Sequence, residues 1–363
     1  MEAAPIGSDR GKTAGGRTAG KSVSTAFKVA FTAVLLFLLY RKVDFAAFRD
    51  LFANADARWI PAFFAIAFFN MYLSSLRWRL FLAADGVGIP VRKLFASHWI
   101  ASFCNFFLPS NIGGDVYRVA DIGLKSGSLS RSTASVFLDR LCGFIAMSFL
   151  GFAFPLAGLA RVPRDYWPWL FVPMAFFAAF ACILFAAVKK QGLVRKAAKR
   201  IPGRFRKKAE NALEDFLRAV SAAAAARKAV AKAVALSLAF QFLVFAAIAV
   251  TGRVLRLPVP FSWYCIFAPL VCILESLPVS VNGMGLREAA YTAFFSAAFP
   301  AVGFSPPSGV GAESFARTCA GAMAMAYMAL TLAYALGGGL LLFLRLYASG
   351  NRDFPKQTKR RRT

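Results

Sequence analysis

Six stretches of this sequence are almost wholly apolar and 17 to 29 residues long: 24–40, 59–76, 132–158, 166–188, 229–251 and 316–344. A helix rises about 1.5 Å per residue, so roughly 20 such residues cross the ~30 Å hydrocarbon core of a bilayer. A soluble core does not need so many runs of that length. With 58% hydrophobic residues, 39 Phe and a mean hydropathy of +0.57, the sequence predicts an integral membrane protein. Lipid offers the backbone no hydrogen-bond partners, so an all-α, polytopic helix bundle is expected. The formal charge of +27 would suggest nucleic acid as partner on a soluble chain. Here the cations lie mostly between apolar runs, where they set membrane topology, and no nucleic-acid partner is expected.

Three more apolar pieces fit a full crossing less well. Residues 94–108 are few, 262–277 stop at Leu277-Pro278, and 286–304 open with Arg287-Glu288. Orientation follows from Lys and Arg, because loops rich in them stay in the cytoplasm. Segment 189–228 carries 13 Lys/Arg against 3 acidic residues, and both termini are basic. All three are expected to be cytoplasmic. From an inside N-terminus, 24–40 goes out and 59–76 returns, which leaves the cations Arg77, Arg79, Arg92 and Lys93 in an inner loop. A full crossing by 94–108 would then turn the 13-cation loop outward. Parity therefore predicts a re-entrant hairpin there, and a second one over 262–304 entering from the outer side. The fold expected is six full spans plus two re-entrant hairpins arranged as an inverted repeat.

The two interruptions resemble each other. "FLPSNIGGDVYR" (107–118) and "SLPVSVNGMGLRE" (276–288) each pass from an apolar arm through Leu-Pro, small or polar residues and glycines to an arginine with an acid nearby. Pro removes a backbone donor and Gly permits tight turns, so both stop helices. Broken helices at membrane depth survive where protein or a wet cavity satisfies them, and in transporters such breaks form the binding site. The turn candidates are Asn105, Pro109, Asn111, Gly113, Gly114, Pro278, Asn282, Gly283 and Gly285. Two ordinary loops with mis-cut spans are the plainer alternative.

Charges inside the apolar regions give the candidate head-group residues: Asp115, Arg118, Asp139, Arg140, Glu275, Arg287 and Glu288. An ionisable group at such depth costs a few kcal/mol or more and faces a partner or an aqueous cavity. Arg118 and Arg287 suit phosphate because guanidinium is a planar fork of donors. Asp115, Glu275 and Glu288 could neutralise those arginines or meet a cationic head group. Helical neighbours point about 100° apart, so Asp139 and Arg140 should meet different partners. A structural ion pair with a neighbouring helix is an equally open reading for them. His98, the single histidine, is expected to pack or sit at an interface, and Gly337-Gly338-Gly339 to allow close helix contact or a kink. Six cysteines in apolar segments (Cys104, Cys142, Cys182, Cys265, Cys272 and Cys319) lack metal or disulfide spacing and are expected as buried hydrophobes. No metal, cofactor or catalytic constellation is expected. Residues 204–220 have the apolar spacing of an amphipathic surface helix, or are simply part of a basic loop.

Four segments in order, "SSLRWRLFLAADG", "SFCNFFLPSNIGGDVYRVADIG", "TASVFLDRLCGF" and "ESLPVSVNGMGLREAAY", resemble the lysylphosphatidylglycerol synthase transmembrane region, a flippase-like membrane domain. The resemblance implies one domain over 24–346, flanked by a disordered basic tail (1–23) and a basic C-terminal tail (347–363). By motif position it points to the turn and charged residues above, Asn111 and Glu275 excepted. In fused family members a cytosolic acyltransferase-like domain moves lysine from charged tRNA to phosphatidylglycerol, and the membrane part carries the product lipid across. This chain stops about 20 residues after its last span, so the transferase activity is not expected. The resemblance implies inner-membrane translocation of a polar or aminoacylated phospholipid, with membrane lipid as partner and both termini cytoplasmic. A membrane-embedded lipid-modifying transferase, with Asp115, Asp139 or Glu288 as base, is one alternative. An anchor subunit for a separate lipid-synthesising enzyme is another. Oligomeric state is left open.

Overall fold

The computed structural model describes residues 45–107, 113–172, 174–176, 178–179, 226–276, 284–306 and 309–350, with Phe37 and Arg218. Among them every regular element is a helix. In chain order these are α1 (Phe45–Ala53), α2 (Ile60–Ala84), α3 (Val91–Phe107), α4 (Gly113–Ser126), α5 (Leu129–Gly158), α6 (Arg227–Val254), α7 (Phe261–Ser276), α8 (Leu286–Ala301) and α9 (Ala312–Gly350). Short 3-10 turns at Ala57–Trp59 and Arg164–Tyr166 join some of them. Four segments are long and apolar enough to cross a bilayer: Ala57–Ala84, Leu129–Gly158, Arg227–Val254 and Ala312–Ala348. Phe69, Phe149, Leu340 and Phe343 on these helices are each more than half exposed, which suits lipid and would be a liability in water. The expected span 24–40 apart from Phe37, Cys182 and most of the basic loop 189–228 lie outside the described residues, as do residues 173, 177 and 180–188 of the expected span 166–188.

One expected boundary is wrong. Arg77 and Arg79 do not sit in a loop, because α2 continues to Ala84 and stops only at Asp85-Gly86, where Gly86 takes φ 76°. Trp78, Phe81 and Leu82 are nearly inaccessible, so the helix gains by extending about two turns beyond the apolar run. Arg77 is carried with them into the interior, 4% exposed.

The helix ends sort into two groups. At the first end, Arg131 meets Asp85 at 3.1 Å and Arg345 meets Asp121 at 3.8 Å. Val87 and Ile89 cover the cluster of Trp78, Leu94, Ile122 and Val136 there. At the second end, the Asp56 N–H donates to the Val254 carbonyl at 2.7 Å. Val162, Leu255, Leu257 and Val259 share its core with Phe48, Leu51 and Phe304.

Between these ends α3 with α4, and α7 with α8, form two antiparallel pairs. Gly114 abuts Ala101 and Asn105 while Ile122 joins the cluster of Leu94, so α4 runs back along α3. Arg287 meets Glu275 while Phe294 stacks near Phe267 and Tyr264, so α8 runs back along α7. The first pair opens at the first end and the second pair at the second end. Their inner ends therefore point toward each other. The Pro-bearing connections, 108–112 and 277–283, fall outside the described residues.

The triple glycine makes a close contact. Added side chains at Gly337, Gly338 and Gly339 would strike the Trp99 ring, the Trp99 backbone and the Phe103 ring respectively. The absence of Cβ lets α9 lie directly on α3, and the Trp99 indole N–H donates to the Tyr334 carbonyl at 2.9 Å.

Candidate functional site

A polar cavity of about 350 Å³ lies between the inner ends of the two helix pairs. Asn105, Asp115, Arg118, Asp139, Arg140 and Glu275 line it, all of them singled out in the sequence. Arg77, Ser74, His98, Gln241 and Cys272 also line it and were not assigned to the site. Arg77 escaped because a cation following an apolar run looks like a topological loop charge. Its place in "SSLRWRLFLAADG" was the available clue. Cys104 and Cys272 are only partly buried, whereas Cys142, Cys265 and Cys319 are buried.

Asp139 holds the buried part of the site together. Its Oδ1 accepts from Arg77 Nε at 2.6 Å and its Oδ2 from an Arg118 terminal nitrogen at 2.8 Å. Arg77 also donates to Ser237 on α6 at 2.9 Å and lies 5.3 Å from the Phe240 ring centroid. Arg118 is stacked 4.1 Å over Trp78, whose indole N–H donates to Ser135. Four helices, α2, α4, α5 and α6, are thus tied through one carboxylate. Arg140 points elsewhere, as the helical spacing requires, and donates to Asp115 Oδ2 at 2.8 Å. Its side chain is 43% exposed against 2% for Arg118. Of the two, Arg140 is the guanidinium an incoming anion can reach.

Each pair presents the N-terminus of its second helix to the interior, and each supplies a side-chain oxygen to a backbone N–H there. Asn105 Oδ1 accepts from Gly114 N–H and Glu288 Oε2 from Gly285 N–H, both at 2.6 Å. Such terminal donors otherwise lack partners. Gly285 has φ 85°, where only glycine is unstrained, which accounts for the glycine at this turn. Gly114 lets α4 approach α3, since a Cβ there would collide with Ala101 and Asn105. Gly113 opens α4. Arg287 and Glu288 are buried behind the cavity wall, and Arg287 reaches Glu275 at 3.4 Å and Glu288 at 3.7 Å. Pro109, Asn111, Pro278, Asn282 and Gly283 lie outside the described residues.

Around the first pair three arginines (77, 118, 140) face two carboxylates (115, 139); around the second, one arginine (287) faces two carboxylates (275, 288). The cavity thus has a positive and a negative side. His98 packs edge-on to Trp78, ring centroids 6.0 Å apart, and its Nδ1 is buried without a hydrogen-bond partner among the described residues. No group of three or more His, Cys, Asp or Glu suited to a metal occurs among the described residues.

The family described as the lysylphosphatidylglycerol synthase TM region matches residues 25–312. The chain belongs to that family. No curated protein matches it. Membership identifies a helical membrane protein linked to lipid metabolism, and the match falls on the family's membrane region, which contains both helix pairs and the whole lining of the cavity.

Proposed function

We propose that the protein translocates a polar lipid head group between leaflets of the inner membrane, through the cavity between the two helix pairs. What carries this reading is the lining: residues from both pairs, entering from opposite ends, converge with six charged side chains in the middle of an otherwise apolar bundle. A head group leaving water loses hydrogen bonds worth several kcal/mol, and only a polar interior can replace them. The volume of about 350 Å³ sits at the small end of the roughly 300–1,000 Å³ typical of ligand sites, enough for a head group but not for acyl chains. The chains would stay in lipid, alongside the exposed Phe and Leu of the outer helix faces.

In this proposal α3–α4 and α7–α8 are re-entrant hairpins related as an inverted repeat, and the first end, where Arg92, Lys93 and Arg131 gather, is cytoplasmic with both termini. Arg140 is the phosphate ligand, Asp115 its partner in the empty state, and Arg118 and Asp139 the scaffold that places both. The test is purified protein in vesicles carrying fluorescent phospholipids of different head groups, with a quencher added outside. Accelerated loss of inner-leaflet signal, reduced at least tenfold in Arg140→Ala with elution profile and helicity retained, supports the reading. Vesicles that behave like protein-free controls for every head group overturn it.

A further inference from the structure

The second end of the bundle holds another cavity, of about 410 Å³, which shares no lining residue with the central one. It is formed by α1, the turn that follows α6 and the start of α9. Asp50, Asn54 and Arg256 supply its polar groups, and Leu51, Leu255 and Phe315 its largest apolar ones. The volume lies within the roughly 300–1,000 Å³ typical of ligand sites.

The turn that presents Arg256 is a strained one. Among the described residues Arg256 is the one residue other than glycine with a positive φ, 54°. It stands just past the end of α6, where the Leu257 N–H donates to the Gly252 carbonyl at 2.9 Å and its own N–H to the Arg253 carbonyl at 3.0 Å. Glycine is the ordinary choice at this point of a helix cap, because it has no Cβ to strain. The turn does not need the arginine for anchorage: Leu255 and Leu257 on either side of it are buried, whereas Arg256 is exposed. Asp56, whose charge it feels, is already gripped by Arg58 at 2.9 and 2.8 Å. A guanidinium kept where glycine would be unstrained points to a ligand rather than to the fold.

The other groups decide which ligand. Phe45, Phe52 and Trp59, on α1 and the turn after it, are 70%, 39% and 42% exposed, as aromatic side chains are at the level of lipid head groups. Asp50 meets Arg49 at 3.7 Å in an exposed pair, and a pair of that kind is worth little, so its carboxylate can exchange Arg49 for another cation. Arg256 offers phosphate a planar fork of donors. We propose that this cavity binds a phospholipid whose head group joins a phosphate to a primary ammonium, the phosphate at Arg256, the ammonium at Asp50, and the glycerol ends of the acyl chains against Leu51 and Phe315. A quaternary ammonium has no N–H to give Asp50, and a head group without an ammonium leaves that carboxylate facing a phosphate. The site is independent of whether the central cavity moves lipid.

The test is photo-cross-linking. The purified full-length protein is placed in phosphatidylcholine nanodiscs with a trace of phosphatidylethanolamine that carries a diazirine at the glycerol end of one acyl chain, then irradiated, digested and mapped by mass spectrometry. Labelling of the peptides holding Leu51, Leu255 and Phe315 should exceed that of the exposed Phe149 on α5 several-fold, and the same probe with a choline or glycerol head group should show no such excess. Arg256→Gly removes the guanidinium and relieves the backbone, so it should melt in detergent at or above wild type while the excess disappears. Asp50→Asn should erase the preference for ethanolamine over glycerol. Cavity labelling that is equal for the three head groups, or unchanged in Arg256→Gly, overturns the proposal. Should Arg256→Gly melt below wild type, Arg256→Lys, which keeps the charge, decides: excess labelling retained supports the phosphate contact, and its loss sinks it. Phosphoethanolamine, the head group without chains, should not compete at millimolar concentration; if it clears the label, the cavity serves a soluble phosphate and the lipid assignment fails.

Discussion

Replacing Asp139 with Asn removes the charge that two buried arginines share and changes almost nothing in size. Asp139 and Arg118 are each 2% exposed and Arg77 4%, so water cannot stand in for the lost carboxylate. Removing one partner of a buried ion pair typically costs about 3–5 kcal/mol, because the other charge is left uncompensated. Here two charges are left, but each keeps something. Arg77 retains Ser237 at 2.9 Å and the face of Phe240, and Arg118 retains Asp115 at 3.4 Å and the Trp78 ring. A cation over an aromatic face is worth about 0.5–2 kcal/mol. No cavity is opened, so no packing loss adds to the total. These offsets place Asp139→Asn near the lower bound, at about 3 kcal/mol.

Arg77→Met is the necessary companion. It leaves Asp139 paired with Arg118 and should cost only the charged hydrogen bonds, about 1.5–3 kcal/mol. The double variant no longer strands Arg77, so its loss should fall short of the sum by about 0.5–3 kcal/mol. Reversible unfolding of the purified protein in mixed micelles, followed by tryptophan fluorescence and by circular dichroism, measures all three. Asp139→Asn within about 0.5 kcal/mol of wild type, or losses additive to that precision, would refute the shared-carboxylate account.

Gly338→Ala should destabilise by about 1–3 kcal/mol, since its Cβ would fall on the Trp99 backbone. Gly143→Ala, whose Cβ would meet Arg77 at an ordinary 3.6 Å, should be neutral or stabilising; thermal melts in detergent separate the two. Asp56 caps the turn before α2, and its bonds to Arg58 lower its pKa from 3.8 to about 2. The stability this gives is complete above about pH 3.8 and is lost as pH falls through about 2, so Asp56→Asn should flatten the acid dependence of the melting temperature in that window. Single cysteines at Ser128 and Ala160, on a cysteine-free background, should react with an impermeant maleimide from opposite sides of the membrane, Ala160 from outside intact cells. Labelling of Ser128 from outside would reverse the proposed orientation.

The helices were legible in the sequence because lipid leaves a chain few options. Apolar length alone located α5, α6 and α9 to within a few residues, and Leu-Pro with glycine located the inner ends of both helix pairs. What sequence did not give was Arg77. Its meaning depends on whether the helix ends before it or after it, and that is decided by Trp78, Phe81 and Leu82 finding partners on α3, α4 and α5. The distinction between Arg118 and Arg140 was equally hidden. Each has an acid close before it, Asp115 three residues ahead of Arg118 and Asp139 next to Arg140, and only the packing of Trp78 over one of them shows which is sealed and which is open. The parallel use of Asn105 and Glu288 on the Gly114 and Gly285 N–H groups, where α4 and α8 begin, was hidden for a further reason: the two residues differ in type and reach the turn from opposite sides of it.

That last parallel bears on how the site came to hold opposite surplus charges. In both helix pairs the second helix starts in the interior, so both present the positive end of a helix dipole to the cavity. At the first pair the oxygen on the exposed N–H is a neutral amide, and Asp115 in the first turn is drawn toward Arg118 and Arg140. At the second pair it is a carboxylate, Glu288, which brings a full negative charge to the start of α8. The acid in place of an amide supplies one of the two units of charge that separate the sides, and the other comes from Arg77 and Arg140, which α2 and α5 bring in around Asp139 and Asp115. Glu288→Gln keeps a carbonyl oxygen to accept the Gly285 N–H while removing the charge. It should therefore preserve the turn and leave Arg287 balanced by Glu275 alone, so helicity and elution profile should match wild type.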